Sequence, residues 1–332
     1  MPPYLPGYSD VQFPPPYSFK GVTIWSFPLA ADLGNLTGIV DRYLNIDPSG
    51  TVRFRPLAPM VYMMVLHYDR MIPEAPPFKD WGYLIQNELY FTIPIVRLDQ
   101  NGIPVDVGVF TPYIYVDNPW SMVCGNTVLG FPKQMAWFLL PQSPRQYPFQ
   151  IDAPVFVEKS PDTPLTWQRL VTIDSAFSKG LLGGTEALLQ EAGEAVEEVL
   201  ETDESLWPFG PLENLFRGDT GLPLEEETLT LLRNVRDNKL YSIVQLKQIR
   251  DAAGMDQSCY TAIVNLSVGL SSLPRSFLLP PASIDLRSYA TATYGKDLGL
   301  RYASGGKLVP IMPYRVRCDF NIKDPKILYT AS

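Results

Sequence analysis

Proline occupies 33 of the 332 positions, about twice the usual ~5%. A proline has no backbone N–H and a fixed φ, so it ends helices and sits at turns and strand edges. That argues against a long helical bundle and for a β-rich fold with many turns. Apolar residues make up 46% of the chain and charged residues 19%, a globular and not a disordered composition. The length allows one large domain or two ordinary ones, and a full core without disulfides or metal.

Several function classes fall away early. The net charge of −8, with no basic run, makes nucleic acid and anionic membrane surfaces poor partners. The longest uninterrupted apolar run, Met60 to Leu66, is too short to span a membrane, and MPPYLPGYSD lacks the pattern of a signal peptide. Cys124, Cys259 and Cys318 are far apart and odd in number, with no CxxC pair, so neither a disulfide framework nor a zinc knuckle is expected. A soluble, cytoplasmic protein is the resulting expectation. His67 is the one histidine, which rules out a multi-histidine metal site. No dinucleotide or P-loop glycine motif occurs.

Residues 1–18 read as an extended proline- and tyrosine-rich arm, packed on its own surface or a neighbouring subunit's, or left as a loose tail. A strand over Gly21 to Phe27 precedes a helix from Asp32 to Tyr43, with Leu33, Leu36, Val40 and Tyr43 on one face. Strands are expected at Thr51 to Arg55, Met60 to Tyr68 (buried on both faces), Trp81 to Leu98, Val105 to Val116 and Met135 to Leu140. Asn101-Gly102 is a hairpin turn dipeptide between two of them. Such short polar connections point to an antiparallel meander or barrel. The texture changes near Asp174. Residues 185–201 have a helical apolar stripe, WPFGPLENLF is a proline-broken linker, and Leu224 to Asp237 is a second helix. Residues 175–238 are therefore expected to be a helical insertion in a single domain, with proteolytic nicking near 202–222. Strands resume at Leu240 to Asp251 and Tyr260 to Gly269. Pro274 to Pro281 reads as a loop, Ser283 to Tyr294 as strand or short helix, and Leu308 to Phe320 as a last strand broken by prolines.

The residues with the most chemical content lie in Leu129-Gly130-Phe131-Pro132-Lys133-Gln134-Met135-Ala136-Trp137. A lysine here directly precedes an apolar strand. Burial favours the neutral amine, which attacks carbonyls and forms a Schiff base. The cationic imine is then an electron sink for a carbanion left by CO2 or by a removed proton. From spacing alone, a solvated turn lysine is the better fit, because most lysines at a turn are solvated.

Gly125 followed by Gly130-Phe131-Pro132-Lys133 resembles the Gly-Arg-Glu-x-x-(Gly/Ala)-(Tyr/Phe)-Pro-Lys-Lys signature of the acetoacetate decarboxylase superfamily. In that family the lysine after the proline forms the Schiff base, which implies this role for Lys133. Glu88, six residues before Pro94, matches the spacing of the family's catalytic-site glutamate. The resemblance covers about residues 17–140, with a weaker echo over 240–320. Two departures stand out. Asn126-Thr127 replaces the family's Arg-Glu, which puts carboxylate handling and proton transfer in question. Gln134 replaces the second lysine, credited with activating its neighbour by charge repulsion. Desolvation by Phe131, Met135, Trp137 and Phe138, with no acid in the local sequence, is expected to leave Lys133 reactive all the same.

The resemblance implies a mainly β (α+β) fold, an antiparallel barrel or sandwich with peripheral helices. It implies a Schiff-base lyase acting on a small keto acid, by decarboxylation or by aldol condensation and dehydration with an aldehyde. Lys133 would be the nucleophile and Glu88 the proton-transfer or orienting carboxylate, with Phe131, Gln134 and Asn126 in the substrate pocket. No cofactor or metal is expected, and a homo-oligomer is. The alternative is a carbonyl-binding or scaffold protein that has lost turnover. His67 reads as a hydrogen-bonded strand-end residue, the aromatics between Tyr83 and Phe91 as sheet packing, and the glutamates of 186–204 as a wet helix face. Arg53, Arg55 and Arg70 read as solvated strand residues or carboxylate binders.

Overall fold

The computed structural model describes residues 3–5, 7, 11–143, 146–176, 226–254 and 256–331. In chain order these form β1 (Tyr17–Ala30), α1 (Leu33–Tyr43), β2 (Arg53–Pro56), β3 (Met60–Pro73), β4 (Leu84–Leu98), β5 (Pro104–Val116), α2 (Pro119–Cys124), β6 (Lys133–Met135) and β7 (Trp137–Leu139). They continue with β8 (Phe149–Val155), β9 (Thr166–Ser175), α3 (Glu226–Asn238), β10 (Leu240–Arg250), β11 (Ser258–Leu270), β12 (Arg275–Leu278), β13 (Ala282–Leu286), α4 (Tyr294–Asp297), β14 (Tyr314–Ile322) and β15 (Lys326–Thr330). The expected helix over 185–201 and the proline-broken linker lie outside the described residues.

The larger sheet runs β12-β14-β1-β3-β4-β5-β10-β11-β15, and a further β14–β11 pairing bends its path into a ring. A second sheet, β13-β9-β8-β7, packs beside it. The fold is therefore mainly β, a ring-like sheet sandwiched with a smaller one rather than a lone closed barrel. Most pairings are antiparallel, but β5 pairs in parallel with β10 and with β6.

Alternation along the strands divides the core in two. Trp25, Phe27, Leu29, Val61, Met63, Val65, Leu89 and Phe91 join β8, β9 and β13 residues in the core between the sheets. Val22, Ile24, Tyr62, Met64 and Leu66 point the other way and fill the ring with Leu266, Val268 and Val316. Because β1 and β3 bury both faces, they read as near-continuous apolar runs.

The termini and breaks have local causes. Asp32 caps α1, its carboxylate accepting from Asn35 N at 2.9 Å. Leu36 and Val40 are buried, whereas Leu33 and Tyr43, expected on the same face, are substantially exposed at the helix ends. The expected strand over 135–140 divides at Ala136, whose N–H donates to Val116 O at 2.8 Å, and the chain passes from one sheet to the other. The loop expected at 274–281 contains edge strand β12, paired with β14. The last expected strand begins only at Tyr314, since Pro310 and Pro313 cannot donate to the ladder, and β15 follows it. Strands β8 and β9 escaped the sequence reading, although β8 alternates buried and half-buried residues throughout. Residues 283–294 resolve into the end of β13 and the start of α4.

The arm packs on its own chain from residue 11 onward. Phe13 is buried, sits 6.1 Å from the Phe78 ring, and offers its carbonyl to Tyr17 Oη at 2.7 Å. Helix α3 buries Thr228, Leu232 and Val235, the last two within the ring-side core. No helix among the described residues is long and apolar enough to cross a membrane.

Candidate active site

Strand β4 turns polar residues inward. Successive side chains alternate faces, so Leu89, Phe91 and Ile93 enter the core between the sheets, while Glu88, Tyr90 and Thr92 line a cavity of about 70 Å³ inside the ring. Register with β3 sets Leu66 opposite Glu88 and Tyr68 opposite Gln86. Tyr68 Oη donates to Glu88 Oε2 at 2.6 Å, and Gln86 Nε2 donates to Glu88 Oε1 at 2.6 Å. Burial, with the Glu88 charge beside it, pushes the Tyr68 hydroxyl well above its ordinary range, so it stays a donor.

Lys133 arrives from the opposite side. After α2 the chain widens into a π turn, Gly125–Leu129, ended by Gly130 at φ 82°. Phe131 N then bonds Gly125 O at 2.9 Å. Asn126 clamps the Lys133 backbone: its Oδ1 accepts from Lys133 N at 2.6 Å and its Nδ2 donates to Lys133 O at 3.0 Å. The lysine stem crosses Gly125 so closely that a Cβ there would stand 2.5 Å from Lys133 Cδ and 2.7 Å from Cε. Lys133 Nζ ends 2.6 Å from Glu88 Oε1 and 2.9 Å from Ser121 Oγ. Only 9% of the lysine and 5% of the glutamate side chain remain exposed. Lys133 and Glu88 are the only charged side chains among the described residues lining the cavity.

This geometry corrects the expected source of desolvation. An acid does stand beside Lys133, brought by β4 from 45 residues away. Trp137, expected to shield the amine, is 66% exposed. The cover comes from the cavity wall, including Leu66, Tyr68, Phe131 and Phe320. Phe131 is buried, its ring centroid 5.8 Å from Lys133 Nζ. Asn126 and Gln134 do not line the cavity; both line an open groove on the other side of Lys133, which Phe131 also borders.

Tyr68, Gln86 and Ser121 were not singled out by the sequence reading. The signal for Gln86 was its two-residue offset from Glu88 on one strand face; Tyr68 and Ser121 depend on pairing and on helix placement. His67 Nδ1 lies 2.8 Å from Asn87 Oδ1 as a hydrogen-bonded residue, but β3 runs on to Pro73, so His67 sits mid-strand and not at the strand end. Arg53, Arg55 and Arg70 do not line the cavity.

Among solved structures, an acetoacetate decarboxylase from Legionella pneumophila matches with a TM-score of 0.57 at 13% identity, over 99% of this chain and 93% of that one. A second acetoacetate decarboxylase structure matches at 0.55 and 13% identity, over 97% and 93% of the two chains. The chain has the acetoacetate decarboxylase fold. An acetoacetate decarboxylase-like enzyme from Sphingomonas wittichii RW1 shares it at 0.51 and 13% identity, over 97% of this chain and 96% of that one. No protein-family model and no curated protein matches the sequence.

Two substitutions probe the arrangement. Gly125→Ala forces the Lys133 stem aside, and a misplacement of ~1 Å at a reacting group can lower a rate about 10²-fold. Lys133 labelling in Gly125→Ala, followed by mass spectrometry, is expected to slow by roughly that factor. Gln134 is exposed while Lys133 turns inward, so Gln134→Lys places its charge in water. Such a charge contributes ~1 kcal/mol at 4 Å, and labelling at pH 7 is expected to stay within about fivefold of wild type.

Proposed function

We propose that this chain is a Schiff-base lyase in which Lys133 attacks a substrate carbonyl. The observation that carries the reading is the buried Lys133–Glu88 contact of 2.6 Å at the wall of a cavity whose other described lining residues are uncharged. Glu88 accepts the ammonium proton, and the freed lone pair of Nζ bonds to the carbonyl carbon. The carbonyl electron pair moves to oxygen, which takes up protons and leaves as water as C=N forms. The cationic imine then draws electrons from a bond at the neighbouring carbon. Loss of CO2 from that carbon is decarboxylation; loss of a proton opens aldol-type chemistry. Ser121 Oγ holds the lysine head from the helix side, and the neutral Tyr68 hydroxyl orients Glu88.

A keto acid is the substrate class that the resemblance implies. Asn126-Thr127 in place of Arg-Glu favours a second reading, a carbonyl-binding protein that forms the imine without turnover. Incubation with cyanoborohydride and a panel of pyruvate, acetoacetate and neutral ketones, followed by peptide mapping, tests the first step. An adduct on Lys133 is the expected result, and adducts only elsewhere would end the reading. Deuterium uptake at the carbon beside the carbonyl, followed by NMR, separates a catalyst from a binder.

A further inference from the structure

Strand β5 pairs with β10 through Gly108 to Phe110 and with β6 through Ile114 to Val116. Between these pairings lie Thr111, Pro112 and Tyr113, and Pro112 has no N–H to offer a neighbour. The break is where two spaces meet. Thr111 and Ile114 line the cavity, Pro112 and Tyr113 line the open groove of about 500 Å³, and Lys133 and Phe131 line both. Lys133 and Phe131 therefore stand between the cavity and the groove.

Gln245 follows on β10 directly after Val244, the partner of Phe110. It is fully buried and lines the groove. Among the described residues, neither its Oε1 nor its Nε2 has a hydrogen-bond partner. A buried carboxamide left unpaired is destabilising, and such groups are rare in native proteins. It offers one donor and one acceptor function, complementary to a carbonyl, hydroxyl or amide. Lys133 is the only charged side chain among the described groove-lining residues, and it already faces Glu88. A substrate carboxylate held against Phe110 and Phe131 would lose its hydration without gaining a cation of its own.

We infer that the groove is a substrate subsite for an uncharged carbonyl compound larger than a small keto acid. Its reacting carbonyl would reach Lys133, and a second polar group would pair with Gln245. This rests on the imine reading, sets an uncharged compound in place of the keto acid that the resemblance implies, and leaves the proton-loss, aldol-type branch of the chemistry.

The test measures half-saturation of cyanoborohydride labelling at Lys133 with three probes: acetoacetate, 4-phenyl-2-butanone and benzoylacetone, a neutral diketone. Burial of the phenyl ring in the groove is expected to set benzoylacetone at least roughly tenfold below acetoacetate. Gln245→Leu removes the proposed hydrogen bond and should raise half-saturation for benzoylacetone by about five- to tenfold, with 4-phenyl-2-butanone unchanged. If the leucine variant does not fold, Gln245→Met carries the same comparison. Acetoacetate saturating at or below benzoylacetone would overturn the uncharged class while leaving the imine reading intact. A Gln245 effect that is equal for both ketones, or nil, would overturn its role. No Lys133 adduct with any probe would instead defeat the imine reading itself.

Discussion

Lys133→Ala is expected to reduce covalent carbonyl labelling at this site to nothing, the largest effect of any single change. The substitution leaves Glu88 buried beside Tyr68 and Gln86 without its cation, and breaking a buried pair typically costs about 3–5 kcal/mol. Lys133→Met keeps the stem volume over Gly125 and serves as the control for packing. The informative competitor is Lys247. Burial lowers its amine's pKa below the ordinary lysine value, and its Nζ donates to Val128 O at 3.0 Å. Desolvation alone therefore makes Lys247 a candidate nucleophile, but it lines neither the cavity nor the groove. Peptide mapping decides between them. A label that persists in Lys133→Ala and maps to Lys247 would show that burial, rather than the Glu88 contact, selects the reactive amine.

Glu88→Gln carries the second large effect. Glu88 accepts three hydrogen bonds, from Lys133, Gln86 and Tyr68. A glutamine has one acceptor oxygen and turns an NH2 group toward some of these donors. Stability is expected to fall by about 2–4 kcal/mol, measured by denaturant unfolding. Deuterium uptake into a ketone probe is expected to fall about 10²–10⁴-fold, the usual contribution of a positioned acid–base group, while end-point trapping at Lys133 survives. Unchanged uptake would make Glu88 a structural anchor for the ammonium and would favour the carbonyl-binding reading.

How far the site could be read in the linear chain differs residue by residue. Glu88 and Lys133 each stood out by motif spacing, yet no periodicity argument could place them 2.6 Å apart. Their meeting depends on β4 and β6 both pairing with β5, one antiparallel and one parallel. The expectation of local desolvation failed at Trp137 because the chain leaves the ring sheet at Ala136 and its next residues join the second sheet. Proline placement gave warning of breaks, as at Pro310 and Pro313, but not that Pro112 stands where cavity and groove meet.

What the sequence determined by itself is the local part. Proline content and alternating apolar residues dictate short strands and sharp turns, since backbone geometry is decided within a few residues. The Gly-Phe-Pro-Lys run likewise dictates a turn that delivers a lysine into a strand. Tertiary structure alone decided the chemistry available to that lysine. Its acid partner, its hydroxyl partner Ser121 and Gln245, unpaired among the described residues, come from β4, α2 and β10, far apart in the chain. Only pairing register and packing bring them together, because the exclusion of water that strengthens their interactions is a property of the closed cavity and of no single segment.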